Sequence, residues 1–271
     1  MQRSRACHAI LSSRSRAALV EALRSHALTG IPHGFLTRAG GVSRGAVEGL
    51  NCGFGADDDP ASVTENRRRA AEAVLAGARL VGVYQVHSPR VETMTEPWPD
   101  DARPRADAMV TAQPGVLLGI LTADCAPVLF SDAEAGVIGA AHAGWRGAHG
   151  GVLAATVEAM QALGARPERI AAAVGPCIAQ PSYEVTDDFR AQFTPDDACF
   201  FAGGASGHWQ FDLPGYVAAR LAGAGVGTID VLGDDTYADP ARFYSFRRAT
   251  HRGEATYGRH LSLIGLPPSG S

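Results

Sequence analysis

Apolar residues in this chain fall in short runs separated by turns rich in Gly, Asp and Pro. Gly34–Leu36, Leu80–His87, Val116–Thr122, Val128–Phe130 and Val137–Ala141 predict strands, followed by Ile170–Val174, Ile229–Leu232 and Tyr244–Phe246. The three central runs follow one another too closely to admit helices, which predicts antiparallel hairpins at the centre of a sheet. Elsewhere the apolar period lengthens to that of a helix. Pro60–Ala76 predicts one, with Asp59 as N-cap and Pro60 at the first helical position. Gly150–Leu163 predicts a second, with Val152, Leu153, Thr156, Val157 and Met160 on one face. A third spans Pro214–Ala222, and Ser182–Phe193 and Ala17–His26 are shorter helical candidates. Strands interleaved with helices make an α/β protein. No repeat or linker interrupts the pattern. The expected organisation is a loosely ordered N-terminal extension over residues 1–28 and a single catalytic domain over residues 29–271.

Composition narrows the chemistry. The chain has 271 residues, 46% of them hydrophobic, which is ample for a packed core. Its net charge of −4 argues against a nucleic-acid partner. All 24 cationic residues are arginine. Without lysine, Schiff-base chemistry, pyridoxal phosphate attachment and the P-loop fall away. Any phosphate site must therefore use arginine, backbone N–H groups or helix N-termini. The five cysteines are odd in number and never form CxxC, so they read neither as a disulfide framework nor as a zinc finger. A reducing cytoplasm is the natural setting. No apolar stretch has the length of a membrane span, and no membrane partner is expected.

The stretch Leu121–Gly147 carries the strongest chemical signal. It sets Cys125 after one apolar run and His142 at the end of the next, both among Gly, Ala and Asp. His87 ends the run before Ser88-Pro89. Two imidazoles and a thiolate form a known catalytic zinc set with a fourth position left for water or substrate. The same residues also suit a nucleophile–base pair, and both readings stand at this point. Asp124 is the nearest acid by sequence. Arg146, in the turn after His142 and ahead of a helix, suits an anion. Asn66 and Arg67 share the stripe of Val63, Ala70, Ala71 and Val74, where an arginine needs a partner, either a structural acid or an anionic substrate. Cys177 follows a strand and either packs or lines the same pocket. Arg38 and Asn51 stand in glycine-rich loops of the kind that touch ligands. Arg247, Arg248 and Arg259 form a late basic segment whose default is a solvated face.

TRAGGVSRG, GLNCGFGADDDPASVTENRRR, YQVHSPRV, LTADCAPVLF, GAAHAGWRG, VGPCI and FRRATHRGEATYGR occur in this order. Together they resemble the family labelled multicopper polyphenol oxidase or laccase-domain protein, over about Ile31 to Leu266. Members of that family have been described as purine nucleoside phosphorylases with adenosine deaminase activity, and bacterial ones also as peptidoglycan editing factors. The resemblance implies an α/β fold in a single domain, four-layer α/β/β/α with mixed sheets, like that of toxin deamidases. It places His87, Cys125 and His142 on zinc ligands, with copper possible. It sets Asn51 and Arg67 in the substrate pocket, beside the Arg146 and Cys177 read from their local setting. The implied activity is zinc-dependent phosphorolysis of adenosine, inosine, guanosine or methylthioadenosine, with deamination of adenosine. Purine nucleoside and phosphate are then the partners, and a monomer or small homo-oligomer is expected. The alternatives are a cysteine-type amidohydrolase editing peptidoglycan precursors and a polyphenol oxidase. The last is weak: a blue-copper laccase needs about ten histidines, mostly in H-x-H pairs, while this chain has nine and no such pair. The stretch between Arg247 and Gly258 is slightly longer than the family's pattern, which loosens the roles of Arg247 and Arg259.

Overall fold

The computed structural model describes residues 19–268. Along the chain come β1 (Ala22–Leu23), β2 (His33–Leu36), α1 (Pro60–Val74), β3 (Arg79–Gly82), β4 (Val91–Thr93), β5 (Ala108–Thr111), β6 (Val116–Thr122), β7 (Ala126–Asp132) and β8 (Val137–Ala143). Then follow α2 (Trp145–His149), α3 (Val152–Ala162), β9 (Ala171–Val174), β10 (Glu184–Thr186), α4 (Asp187–Arg190), β11 (Phe201–Gly203) and β12 (His208–Phe211). The last elements are α5 (Leu213–Gly223), β13 (Thr228–Val231), α6 (Phe246–His251) and β14 (His260–Leu266).

Two mixed sheets lie face to face. One has the order β1-β2-β14-β6-β3, the other β13-β9-β7-β8-β5-β4. A small third sheet, β10-β12-β11, stands apart. Helix α1 covers the outer face of the first sheet, and α3 and α5 cover that of the second. The result is four layers, α/β/β/α, with three apolar seams. Phe35, Leu118, Ile120, Leu129, Ile138 and Ile264 fill the seam between the sheets. Val128, Phe130, Ala141, Leu153, Val157 and Val217 fill the seam under α3 and α5. Leu36, Ala70, Leu117 and Leu263 fill the one under α1. Each central strand is thus buried on both faces. Continuous apolar runs, rather than alternating ones, follow from that.

The three long helices, α1, α3 and α5, sit where periodicity puts them. Asp59 caps α1, accepting from the N–H groups of Ala61 at 3.3 Å and Ser62 at 3.0 Å. The face of α3 that is buried is Val152, Leu153, Thr156, Val157 and Met160, as expected. The strands required correction. Val116–Thr122 does not form a hairpin with Val128–Phe130: β6 belongs to the first sheet and β7 to the second, and only β7 and β8 pair as a hairpin. Residues 123–125 carry the chain from one sheet to the other. The run Leu80–His87 is strand only through Gly82. Tyr244–Phe246 is not a strand, because the Ser245 side chain caps α6. In Ser182–Phe193 only the four residues of α4 are α-helical.

The expected extension over residues 1–28 begins outside the described residues. From residue 19 onward it is part of the fold. The helix expected over Ala17–His26 is absent from its described part, where β1 pairs antiparallel with β2 and Leu28 is buried. Strand β14, at the centre of the first sheet, went unrecognised in the sequence because its Gly and Ser residues dilute the apolar signal.

Gly175 shows how tightly the sheets meet. A Cβ there would lie 2.1 Å from Cδ1 of Phe35, a fully buried ring on the facing sheet. Gly175→Ala should lower unfolding stability by about 1–3 kcal/mol through overpacking, read as a lower denaturant midpoint with unchanged slope.

Candidate metal and active site

The junction of the two sheets gathers three side chains that the sequence scatters. Cys125 stands at the crossing from β6 to β7. His142 lies inside β8, one residue before its end. His87 comes five residues after β3, in a loop. Their donor atoms all lie within 4.8 Å of one another. Cys125 Sγ is 3.9 Å from His87 Nε2, and the two imidazole rings meet edge to face at 4.7 Å between centroids.

Asp107, which the sequence reading missed, positions both histidines. It is fully buried just before β5. Its Oδ1 lies 2.8 Å from His142 Nδ1 and accepts from the His87 N–H at 2.9 Å. Its Oδ2 accepts from the Ser88 N–H at 2.6 Å and the Ser88 hydroxyl at 2.9 Å. Burial pushes this carboxyl up, but His142 and the Ser88 donors outweigh burial and hold it at about 2. Being ionised, it takes a hydrogen bond from Nδ1, which leaves Nε2 of His142 for the cluster. A lone acid before a short, fully buried strand is the only sequence signal it offers.

The backbone is strained at this place. His87 (φ 60°) and Asp124 (φ 81°) are the positive-φ residues other than glycine among the described residues. Such strain costs about 1–3 kcal/mol per residue and persists where surroundings over-determine it. Asp107 pins His87. Asp124 is pinned by its own carboxylate, which accepts from Thr236 Oγ1, Ser245 Oγ and the Arg247 N–H. Asp124, the nearest acid by sequence, thus has both oxygens engaged in fixing the turn that presents Cys125. Gly144 makes room: a Cβ there would lie 2.9 Å from Cys125 Sγ and 3.1 Å from His87 Cδ2.

Charge follows from this packing. Burial raises the Cys125 thiol, but His142 and His87 together reverse that and bring it down to about 6. Burial lowers His142, while the Cys125 thiolate and Asp107 lift it to about 9. Between those values the pair is a thiolate facing an imidazolium. A metal displaces that imidazolium proton, so affinity rises with pH across the same window.

Two nitrogens and one sulfur, with a carboxylate behind one imidazole, are donors suited to zinc. A tetrahedral zinc holds such donors about 3.3–3.6 Å apart. The 3.9 Å thiol–imidazole separation, and the others, all within 4.8 Å, therefore need side-chain closure of no more than roughly 1.5 Å.

Three of the other expected site residues fall elsewhere. Asn51 is fully buried and outside the cavities; it donates to Asp58 and accepts from the N–H groups of Gly53 and Arg259. Arg67 is buried in α1, where it pairs with Asp100 at 3.2 Å and lies under the Phe54 ring. It faces a different cavity from the cluster. Cys177 is buried, its thiol pushed up by burial, and it lines neither cavity beside the cluster. Arg146 does reach the site, stacked on Trp145. The helix after His142 is a single five-residue turn, α2, broken from α3 at Gly150–Gly151.

Two cavities meet at His87, Ala123 and Cys125. The first, about 290 Å³, is bounded by Phe54, Tyr84, Arg103, His142 and Arg259 among others. The second, about 440 Å³, is bounded by Trp145, Arg146, Tyr183, Phe246 and Arg247 among others.

A family model described as multi-copper polyphenol oxidoreductase laccase matches residues 32–267. A Deinococcus radiodurans protein named purine nucleoside phosphorylase is 48% identical over 241 residues, covering 88% of this chain and 90% of its own. A Streptomyces griseus protein named purine nucleoside phosphorylase ORF3 is 42% identical over 255 residues, covering 90% and 98%. Among solved structures, a Neisseria meningitidis protein of the DUF152 family superposes with a TM-score of 0.81 at 35% identity, over 93% of this chain and all of its own. YlmD from Geobacillus stearothermophilus does so with a TM-score of 0.81 at 32% identity, over 90% and 94%.

Asp107→Asn should weaken zinc binding about 10- to 100-fold in a chelator competition, because an amide holds the His142 tautomer less firmly. In the metal-free protein, the rate of Cys125 alkylation by iodoacetamide should rise with pH and reach half its plateau near about 6. An ordinary thiol does so near about 8.5.

Proposed function

We propose that this chain, which belongs to the family described as multi-copper polyphenol oxidoreductase laccase, is a zinc-dependent purine nucleoside phosphorylase that also deaminates adenosine. The observation that carries this reading is the His87–Cys125–His142 cluster at the meeting point of two cavities edged by arginines and aromatic rings. The names of its relatives point the same way. In phosphorolysis a phosphate oxygen bonds to C1′ of the ribose as the C1′–N9 bond breaks. The bonding pair leaves with the purine, and the proton of hydrogenphosphate ends on the base. In deamination, water adds at C6 and ammonia departs.

Zinc held by the three donors supplies a Lewis acid at neutral pH. The chain's own residues do the rest. Asp107 keeps His142 in one tautomer. Arginines neutralise the phosphate. Rings of Tyr and Phe flank the planar base. The cysteines Cys52, Cys125, Cys177 and Cys199 are free, which suits a reducing cytoplasm. A single His–Cys–His cluster among the described residues suits one zinc better than the several coppers of polyphenol oxidation, although one copper ion is also compatible with these donors.

A second reading has its own observation. Asp107, His142 and Cys125 form an orienter–base–nucleophile series with a thiol lowered to about 6. That series serves a cysteine-type amidohydrolase, with peptidoglycan precursors as the substrate class.

Incubation with inosine or adenosine and phosphate, followed by chromatography, should yield free base and ribose 1-phosphate, with inosine also formed from adenosine. A chelator should abolish both and zinc should restore them. Cys125→Ser should lower kcat/KM by at least about 100-fold. Amide hydrolysis that ignores chelators but stops on alkylation would establish the second reading instead.

A further inference from the structure

The two cavities that meet at Cys125 are chemically unlike. Two arginines, Arg103 and Arg259, edge the first, and no carboxylate does. Two arginines, Arg146 and Arg247, also edge the second, where Asp124 and Glu184 lie on the same wall. The Arg247 guanidinium is already committed, donating to the Glu184 carbonyl at 2.8 Å and lying over Tyr183. The second cavity adds Trp145, Phe189 and Phe246 to Tyr183.

Arg259 is built into the first cavity. Its backbone N–H donates to buried Asn51 at 2.9 Å. Its guanidinium lies over the Tyr257 ring and donates to that hydroxyl at 3.4 Å. Two glycines give it space: a Cβ at Gly53 or Gly55 would stand 3.0 Å from its Cδ or Nη1. Arg103 donates to the Asp100 carbonyl at 2.7 Å. Neither arginine forms an ion pair among the described residues, where the neighbouring Asp100 carboxylate is paired with Arg67. A half-buried guanidinium without a carboxylate partner suits an anion.

Displacement at C1′ adds a geometric demand. The incoming oxygen and the departing base must occupy opposite faces of that carbon. Two cavities converging on one cluster supply two such approaches.

Resting on the phosphorylase reading, we propose that the first cavity is the inorganic phosphate subsite, with Arg259 its main holder and Arg103 its second. The second cavity takes the purine, and C1′ lies between them beside Cys125. The oxygen–C1′ bond forms from the first side while the C1′–N9 pair leaves on the purine toward the second, and the hydrogenphosphate proton ends on the base. Arg146, on the second side, belongs to the base.

The test titrates the zinc-loaded protein with inorganic phosphate by calorimetry and measures KM for phosphate and for inosine. Arg259→Gln should raise the phosphate Kd and KM at least about tenfold and leave the inosine KM within about twofold. Arg103→Gln, whose side chain does not pack on Gly53, should raise the phosphate Kd about threefold or more even if the first variant is poorly folded. Arg146→Gln should leave the phosphate Kd within about twofold. The proposal is overturned if the unaltered protein binds no phosphate, if folded Arg259→Gln binds it normally, or if Arg146→Gln is the weakened variant. Phosphate binding that depends on Arg259 in a protein that cleaves no nucleoside would uphold the anion subsite and remove the phosphorylase reading.

Discussion

The carboxylate of Asp107 joins the two halves of this molecule. It precedes a strand of one sheet and holds the loop that leaves the other, through the N–H groups of Val86, His87 and Ser88. The same oxygens orient His142 inside β8. A buried anion is costly unless its oxygens are satisfied. Here the donors that satisfy it are the groups the site needs fixed. The geometry of the cluster and the tie between the 86–88 loop and the second sheet therefore share one set of hydrogen bonds.

That arrangement also accounts for the strain. His87 and Asp124 hold left-handed backbone on either flank of the cluster, and each is tied by a carboxylate that accepts several donors. The turn at 123–125 has only three residues in which to leave one sheet and enter the next. A sharp, pinned turn presents the Cys125 side chain where a longer loop would let it wander. Gly144 completes the fit by leaving space for sulfur and imidazole together.

Cysteines of one chemistry have become three different groups. Burial, reinforced by the negative charge of Asp124, pushes Cys177 up, and burial pushes Cys52 up to about 12 in spite of Arg67 nearby. Cys125 is also penalised by burial, yet two imidazoles bring it down to about 6. Reactivity here belongs to the surroundings and not to the residue type. Arginine shows the same division: Arg67 is closed off by Asp100, whereas Arg259 stands in a cavity with no carboxylate on its wall.

The sequence by itself determined the three long helices, the three residues of the cluster and the absence of lysine chemistry. Helical period, caps and a cysteine or histidine beside glycine are local features, legible within a turn or two of chain. The Asp59 cap and the buried face of α3 are examples. Only the tertiary structure decided which sheet each apolar run joins, because β6 and β7 look alike in sequence and part company at a three-residue turn. It alone disclosed Asp107, whose partners lie 19 to 35 residues away. It also set Asn51 and Cys177 off the walls of the two cavities beside the cluster and brought Arg259 onto one of them. Side-chain purpose is set by long-range register, and no local pattern encodes that register.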